Sequence, residues 1–266
     1  MIDDYTMIEH RFETDVNIVP VADVHLGAIE HDARAWEEFI QRTLTAPDTY
    51  LILCGDLINN NIKSSVGNPF EAVWRPSEQK KIMAEHLKPL AENGKILAIL
   101  PGNHEDRTAK EADQSITYDI ACKCGIEDLY RENIAFIKVS VGSRAYTNGK
   151  QPNTSYFFAA VHGAGGGIYT GAAVNRNERF GNIIEGLDCL IVGHTHKGTV
   201  SRPSRLIIDP RNRKVSQRSY LVVSAESWMS YGGYAAKKML LPSESSRPQV
   251  LICRNDKDNK RIDVVW

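Results

Sequence analysis

Five short apolar runs in this chain of 266 residues each stop in a small packet of Asp, Asn or His, and that repeated ending constrains the fold more than any other feature. VNIVPVA gives way to Asp23-Val24-His25, and TYLILC to Gly55-Asp56. KILAIL leads through Pro101 to Gly102-Asn103-His104-Glu105, TSYFFAAV to His162-Gly163, and LDCLIV to Gly193-His194-Thr195-His196. Apolar, β-branched runs of this length read as buried strands. In open α/β sheets ligands bind beyond the carboxyl ends of the strands, so the packets are expected to converge. Five of the eight histidines lie in them; His10, His31 and His86 follow no pattern. A turn explains Pro101 and Gly102 in LPGNHEDR, but not His104.

The front of the chain alternates strands with helices. DARAWEEFIQRTL has apolar residues at helical spacing, with Asp32 as its N-cap. A second helix is expected over 77–92, capped by Ser77 and stopped near Gly94, and a third near 112–123. An irregular Asn/Ser/Gly-rich stretch, 59–76, separates strand two from the second helix. Behind residue 130 strands dominate: NIAFIKVSVG, SRLIIDP, SYLVVSAE, PQVLICRN and RIDVVW, with one helix, GAAVNRNERFGNIIEG. Without a linker-like tract between the halves, the reading is one α/β domain over residues 1–266 with two packed sheets.

Composition narrows the function classes. The formal net charge of −1 carries no global field for nucleic acid. Locally, Arg202, Arg205, Arg211, Arg213, Lys214 and Arg218 face only Asp209. That run reads first as a solvated hairpin; since it follows His196, it is also expected to reach the rim of the site. The five scattered cysteines suit a reducing compartment rather than a disulfide framework. The acidic start MIDDYTMIEHRFETD lacks the features of a signal peptide, and no apolar run is long enough to span a bilayer. The expected setting is cytoplasmic, away from membranes.

Asp-x-His and His-x-His put two side chains on one side of an extended backbone, so each pair can grip one ion. Carboxylate, carboxamide and imidazole are donors for Mn, Fe, Ni or Zn. Asp56, alone on its strand, is the best bridge between two ions. Two ions about 3.5–4 Å apart form the clamp used for in-line attack at phosphorus and acidify a water there.

The ordered set Asp-x-His, Gly-Asp, Gly-Asn-His-Glu, His, Gly-His-x-His, spanning residues 23–196, closely resembles the calcineurin-like metallophosphoesterases. The resemblance implies a four-layer αββα sandwich, two mixed β-sheets flanked by helices. It implies one ion on Asp23, His25 and His196 and a second on Asn103, His162 and His194, with Asp56 bridging. Two divalent cations are implied, Mn²⁺ first, with Fe, Ni, Zn or Mg as alternatives. His104 then faces the phosphate as proton donor or charge stabiliser. Glu105 is expected to orient His104 or a ligand histidine, and Asp106 to be a loop carboxylate.

GDLINNN departs from the Gly-Asp-x-Val-Asp-Arg-Gly of the protein phosphatases in this superfamily. DVHLG looks more like its repair nucleases and nucleotide phosphodiesterases, and the whole set also resembles the class III cyclic-nucleotide phosphodiesterases. The expected substrate is therefore a phosphodiester, nucleotidic, with DNA or RNA included. Phosphomonoester hydrolysis on proteins or small molecules is the alternative. An inactive binding relative fits poorly with an intact ligand set. Asn59, Asn60 and Arg107 are candidate phosphate contacts. Trp228, Tyr231 and Tyr234 are candidate base-stacking rings, and HGAGGG is a candidate close-approach loop.

Overall fold

A computed structural model describes residues 5–65, 67–143, 153–165 and 169–266. Two mixed sheets lie face to face. One has the order β1-β5-β6-β7-β11-β8, from β1 (Met7–Phe12), β5 (Ala135–Gly142), β6 (Asn153–Val161), β7 (Cys189–Val192), β11 (Leu221–Ser224) and β8 (Thr199–Ser201). The other has the order β13-β12-β2-β3-β4, from β13 (Ile262–Val265), β12 (Val250–Cys253), β2 (Val16–Val21), β3 (Thr49–Cys54) and β4 (Ile96–Leu100). A separate hairpin pairs β9 (Ser204–Asp209) with β10 (Lys214–Ser219).

Alternation along the strands builds the layers. Ile52 and Cys54 of β3 face the inter-sheet core with Ile137, Phe158, Ile191 and Val223. Leu51 and Leu53 face outward, onto Trp36 and Phe39 of α1 (Ala33–Thr45), Met83 and Leu87 of α2 (Pro76–Glu92) and Ile120 of α4 (Ile116–Cys124). Across the molecule, Leu190, Val192 and Val222 form an outer cluster with Tyr220. There α5 (Thr170–Asn182) packs on β7 and β11. The result is the expected helix–sheet–sheet–helix sandwich.

Within each sheet three strands run parallel: β2, β3 and β4 in one, β6, β7 and β11 in the other. The carboxyl ends of both triplets therefore crowd one edge.

Several local expectations need correction. Asp32 caps α1, accepting from Ala35 N at 3.1 Å. The cap of α2 is Arg75 rather than Ser77, with Pro76 opening the helix and Glu78 accepting from Arg75 N at 2.9 Å. The helix foreseen near 112–123 is α4, which starts later, at Ile116; a helix that was not foreseen, α3 (Glu105–Ala112), precedes it and ends at a left-handed Asp113. Asp106 thus sits in the first turn of α3, where an acid suits the helix dipole, and not in a loop. The first strand, MIEHRF, lies in the acidic start that carries no apolar signal; it pairs with β5 at the sheet edge.

Candidate metal centre

The packets do meet. Asp23, His25 and His196 form one group whose donor atoms all lie within 4.8 Å of one another. Asp56, His162 and His194 form a second, and His25, Asp56 and His104 a third that joins them. Asn103 Oδ1 lies 3.0 Å from His162 Nε2 and 2.8 Å from His194 Nδ1. Asp56 Oδ2 stands in the middle, 3.4 Å from His162 Nε2 and 3.8 Å from both His25 Nε2 and His104 Nε2. All seven expected ligands and His104 are brought together.

The backbone gets them there differently from the extended pairs expected. Asp23, His25, Asp56, His194 and His196, five of the seven, have left-handed φ between 48° and 70°. This conformation costs non-glycine residues on the order of 1 kcal/mol each, least for Asp, Asn and His. Glycine lets the turns nest: a Cβ on Gly102 would overlap Asp56 Oδ1 and N, and one on Gly55, at φ +84°, would overlap the Gly102 backbone.

Both carboxylates divide their labour. Asp23 Oδ2 accepts from His194 N at 2.8 Å, and Asp56 Oδ1 accepts from His104 N at 2.8 Å. Their second oxygens face the imidazoles. Asp23 Oδ1 is sealed from solvent and makes no hydrogen bond. Its nearest polar neighbours are His196 Nε2 at 3.4 Å and His25 Nε2 at 3.8 Å, and a buried carboxylate oxygen with no hydrogen bond is costly. A divalent cation held among these oxygen and imidazole donors would satisfy it, so the residues fit the implied ions.

The protonation pattern divides the histidines. Burial is the largest cause lowering His25, His104 and His194, helped by His104 at His25, by Arg107 at His104 and by His162 at His194. For His25 and His194 this favours the neutral imidazole that ligation requires. At His162 burial also works downward, but the bond and charge of Asp56 outweigh it and push the imidazole up to about 10. At Asp56 burial works upward, yet His162, His104 and His25 together hold the carboxyl well below the usual carboxylate range. His196 is likewise raised against burial by Asp23.

Two imidazoles are oriented from behind. His162 Nδ1 bonds Cys54 O at 2.8 Å, turning Nε2 to the cluster. His104 Nδ1 bonds Asn59 O at 2.6 Å, so its Nε2 also faces inward.

Other expectations change. Glu105 orients no histidine: it accepts from Asp56 N, Ile58 N and Gly102 N at 2.8–3.0 Å, clamping the exits of β3 and β4 together. Burial and the Asp56 charge push it up to about 7, against the backbone bonds. Asn60 is buried and donates to His104 O at 2.6 Å, so it braces the loop rather than a phosphate. Asn59 acts here through its carbonyl. Arg107 Nη1 reaches Asn61 Oδ1 at 3.1 Å and, more weakly, Asn59 O and Ser65 Oγ, tying down the loop after β3. Trp228 is core, edge-on to Trp36 with ring centroids 5.1 Å apart, and stacks on nothing outside. Tyr231 is half exposed, its hydroxyl donating to Leu240 O. Tyr234 opens into α6 (Gly233–Lys237), but its side chain lies outside the described residues, as do Gly166 and Gly167 of HGAGGG.

The strand SYLVVSAE is foreseen in the sequence, but its place at the site is not. The strand β11 ends at the same edge, where Ala225 N bonds Val192 O and Trp228 N bonds Asp23 O. Beyond it lies a cleft of about 320 Å³, lined by Lys197, Glu226, Leu241, Ser243 and Trp266 among others. Ser243 Oγ donates to His196 O at 2.7 Å, so the cleft wall is fastened to the ligand loop. The signal was there: VVSAES is a sixth apolar run ending in a polar group.

The family model for calcineurin-like phosphoesterases matches residues 16–198. Among solved structures the chain is similar to a metallophosphoesterase from Sphaerobacter thermophilus, at 12% identity and TM-score 0.39, covering 94% of this chain and 89% of that one. It is also similar to a conserved uncharacterized protein, a predicted phosphoesterase, from Streptococcus pneumoniae TIGR4. There identity is 10% and TM-score 0.35, over 94% and 93% of the two chains. No curated protein matches.

Proposed function

Given that the chain belongs to the calcineurin-like phosphoesterases, metal-dependent hydrolases of phosphoric esters, we propose that it hydrolyses a phosphodiester, nucleotidic in kind, with a DNA or RNA strand among its possible substrates. The observation that carries this reading is the cleft beside His196. A diester has substituents on both sides of phosphorus, and the cleft gives the second one a place next to the ligand loop. Charge supports the same choice. A monoester dianion calls for more cations than a diester monoanion, and Arg107 already commits Nη1 to the loop after β3.

Divalent ions, with Mn²⁺ the first to try, would supply positive charge to the phosphate and an acidified water. Asp23, His25 and His196 would hold one, Asn103, His162 and His194 the other, with Asp56 serving both. His104, whose Nδ1–H donates to Asn59 O, turns Nε2 to the cluster; with a second proton bound there, as the imidazolium, it serves as proton donor to the leaving oxygen or steadies developing charge. Tyr231, with its exposed ring, is the remaining candidate for stacking on a base.

A substrate panel in Mn²⁺ tests this. Bis-p-nitrophenyl phosphate and at least one nucleic acid or cyclic nucleotide are expected to turn over faster than p-nitrophenyl phosphate. A preference for the monoester over every diester would replace this reading with the phosphomonoesterase.

A further inference from the structure

The basic stretch singled out in the sequence is not at the rim of the metal centre. After His196 the chain enters β8, which runs antiparallel to β11, with Thr199 opposite Ser224 and Ser201 opposite Val222. It is thereby carried to the amino end of β11 before the hairpin begins. Arg218 confirms the place: its Nη2 donates to Gly186 O at 2.9 Å and reaches Asp188 Oδ1 at 3.3 Å, both just ahead of β7. The expectation that these cations select substrate at the metals is therefore overturned.

At that far end a second cleft opens, of about 340 Å³. Its lining brings Arg202, Arg218, Lys260 and Arg261 together from three separate segments, against the single carboxylate of Asp188. Asp188 is a fixed counter-ion rather than a neutraliser of the set. One oxygen, Oδ2, accepts from Phe157 N at 2.8 Å and from Lys260 Nζ at 2.5 Å; the other meets Arg218. Lys260 is also held over the ring of Tyr156, 5.5 Å from its centroid. Arg202 is anchored by Nη2 to Ile262 O at 3.1 Å. The cations are thus positioned by bonds to the fold before any ligand arrives: Arg261 Nε also pairs with Asp263 Oδ1 at 3.1 Å, from beside the cleft, so four positive charges meet two negative ones and an excess of two faces the concave surface.

We infer that this cleft binds a phosphate-bearing anion, at a site separate from the metal centre. Fixed guanidinium and ammonium donors in a concave wall suit phosphate oxygens, Arg by its planar fork and Lys as a point charge. The phosphate can belong to a nucleic-acid strand or to a free small ligand. The inference does not depend on which ester the metal centre cleaves.

The test compares the Mn²⁺-loaded protein with the double variant Arg202→Gln/Lys260→Gln, which touches no residue of the metal centre. Two probes are titrated, a labelled single-stranded oligonucleotide and inorganic phosphate. The metal centre is the same in both proteins, and the number of probe molecules bound per chain, counted in each titration, separates the cleft from binding at the metals. At low salt at least one probe is expected to bind the variant 10-fold or more weakly. Loss with the oligonucleotide alone identifies a strand, with a salt slope shallower by roughly 1.4 if two phosphate contacts are removed, at about 0.7 per contact. Loss with inorganic phosphate identifies a free phosphate group as sufficient. Unchanged turnover of bis-p-nitrophenyl phosphate, or of p-nitrophenyl phosphate if that is the better substrate, reports an intact fold and metal centre. If both probes bind wild type and variant within twofold of one another, the inference is overturned.

Discussion

The two ends of the strands carry opposite kinds of polar chemistry. At the carboxyl edge the polar groups are buried and cross-braced. Asp23, Asp56 and Asn60 are almost wholly removed from solvent, and left-handed turns hold most of the candidate ligands in place. At the amino edge the groups are cationic and largely solvated, and β10 is exposed along its whole length. One edge concentrates carboxylate and imidazole donors suited to a cation; the other concentrates guanidinium and ammonium groups in excess of their carboxylates. Charge content alone does not distinguish the two edges, since Arg202 follows His196 by six residues yet belongs to the opposite end. The direction of the short strand β8 decides it.

The variants that break the carboxyl edge should have the largest effects. Asp56→Asn is expected to cost about 10³-fold in rate, the upper range for removing one electrostatic contact, because both halves of the centre share this group. His104→Ala should retain its metal and lose roughly 10²- to 10⁴-fold in rate, less on esters with good leaving groups that need no proton. Elemental analysis alongside kinetics separates the two: loss of metal from the His104 variant would place that residue among the ligands. Gly102→Ala should come next. Its Cβ would overlap both Oδ1 and N of Asp56, so the loops must part substantially, and about 1–3 kcal/mol of stability is expected to go with it. Thermal unfolding and metal content report both; an unchanged Tm would show that the loops are looser than drawn.

A smaller effect sharpens the electrostatic side. In the ion-free protein Asp56 raises His162 to about 10, so at neutral pH its ring carries a proton that ligation must expel. Metal uptake should therefore release protons, and affinity should rise as pH rises toward that value. Calorimetric titration with Mn²⁺ in two buffers of different ionisation enthalpy measures this. The account expects about one proton or more per chain, and zero would contradict it.

The carboxyl edge was the more legible in sequence. Five apolar runs ending in Asp, Asn or His announce a site because such strand ends are otherwise turned to solvent and need no histidine. The helices of the front half were legible for the same reason, through Asp32 and the apolar stripe of α1. What escaped was whatever depends on backbone angle or on partners distant in the chain. No pattern tells that Asp23 and His25 sit in left-handed turns rather than an extended strand. Nothing local to Glu105 says that it clamps Asp56, Ile58 and Gly102 rather than a histidine, or that Asn60 braces His104. The strands β1 and β10 lack alternation because one is a polar edge and the other lies in an exposed hairpin. The placement of the basic run needed the register of β8 on β11, which exists only once the sheet is formed.

The central claim is that these turns build a centre for two divalent ions with Asp56 common to both. Its most direct test is the metal content of the protein loaded with Mn²⁺ and freed of excess by desalting, measured beside Asp56→Asn. The account predicts close to two ions per chain in the wild type and a loss at both positions in the variant. A single ion in the wild type, or unchanged content in Asp56→Asn, would contradict it.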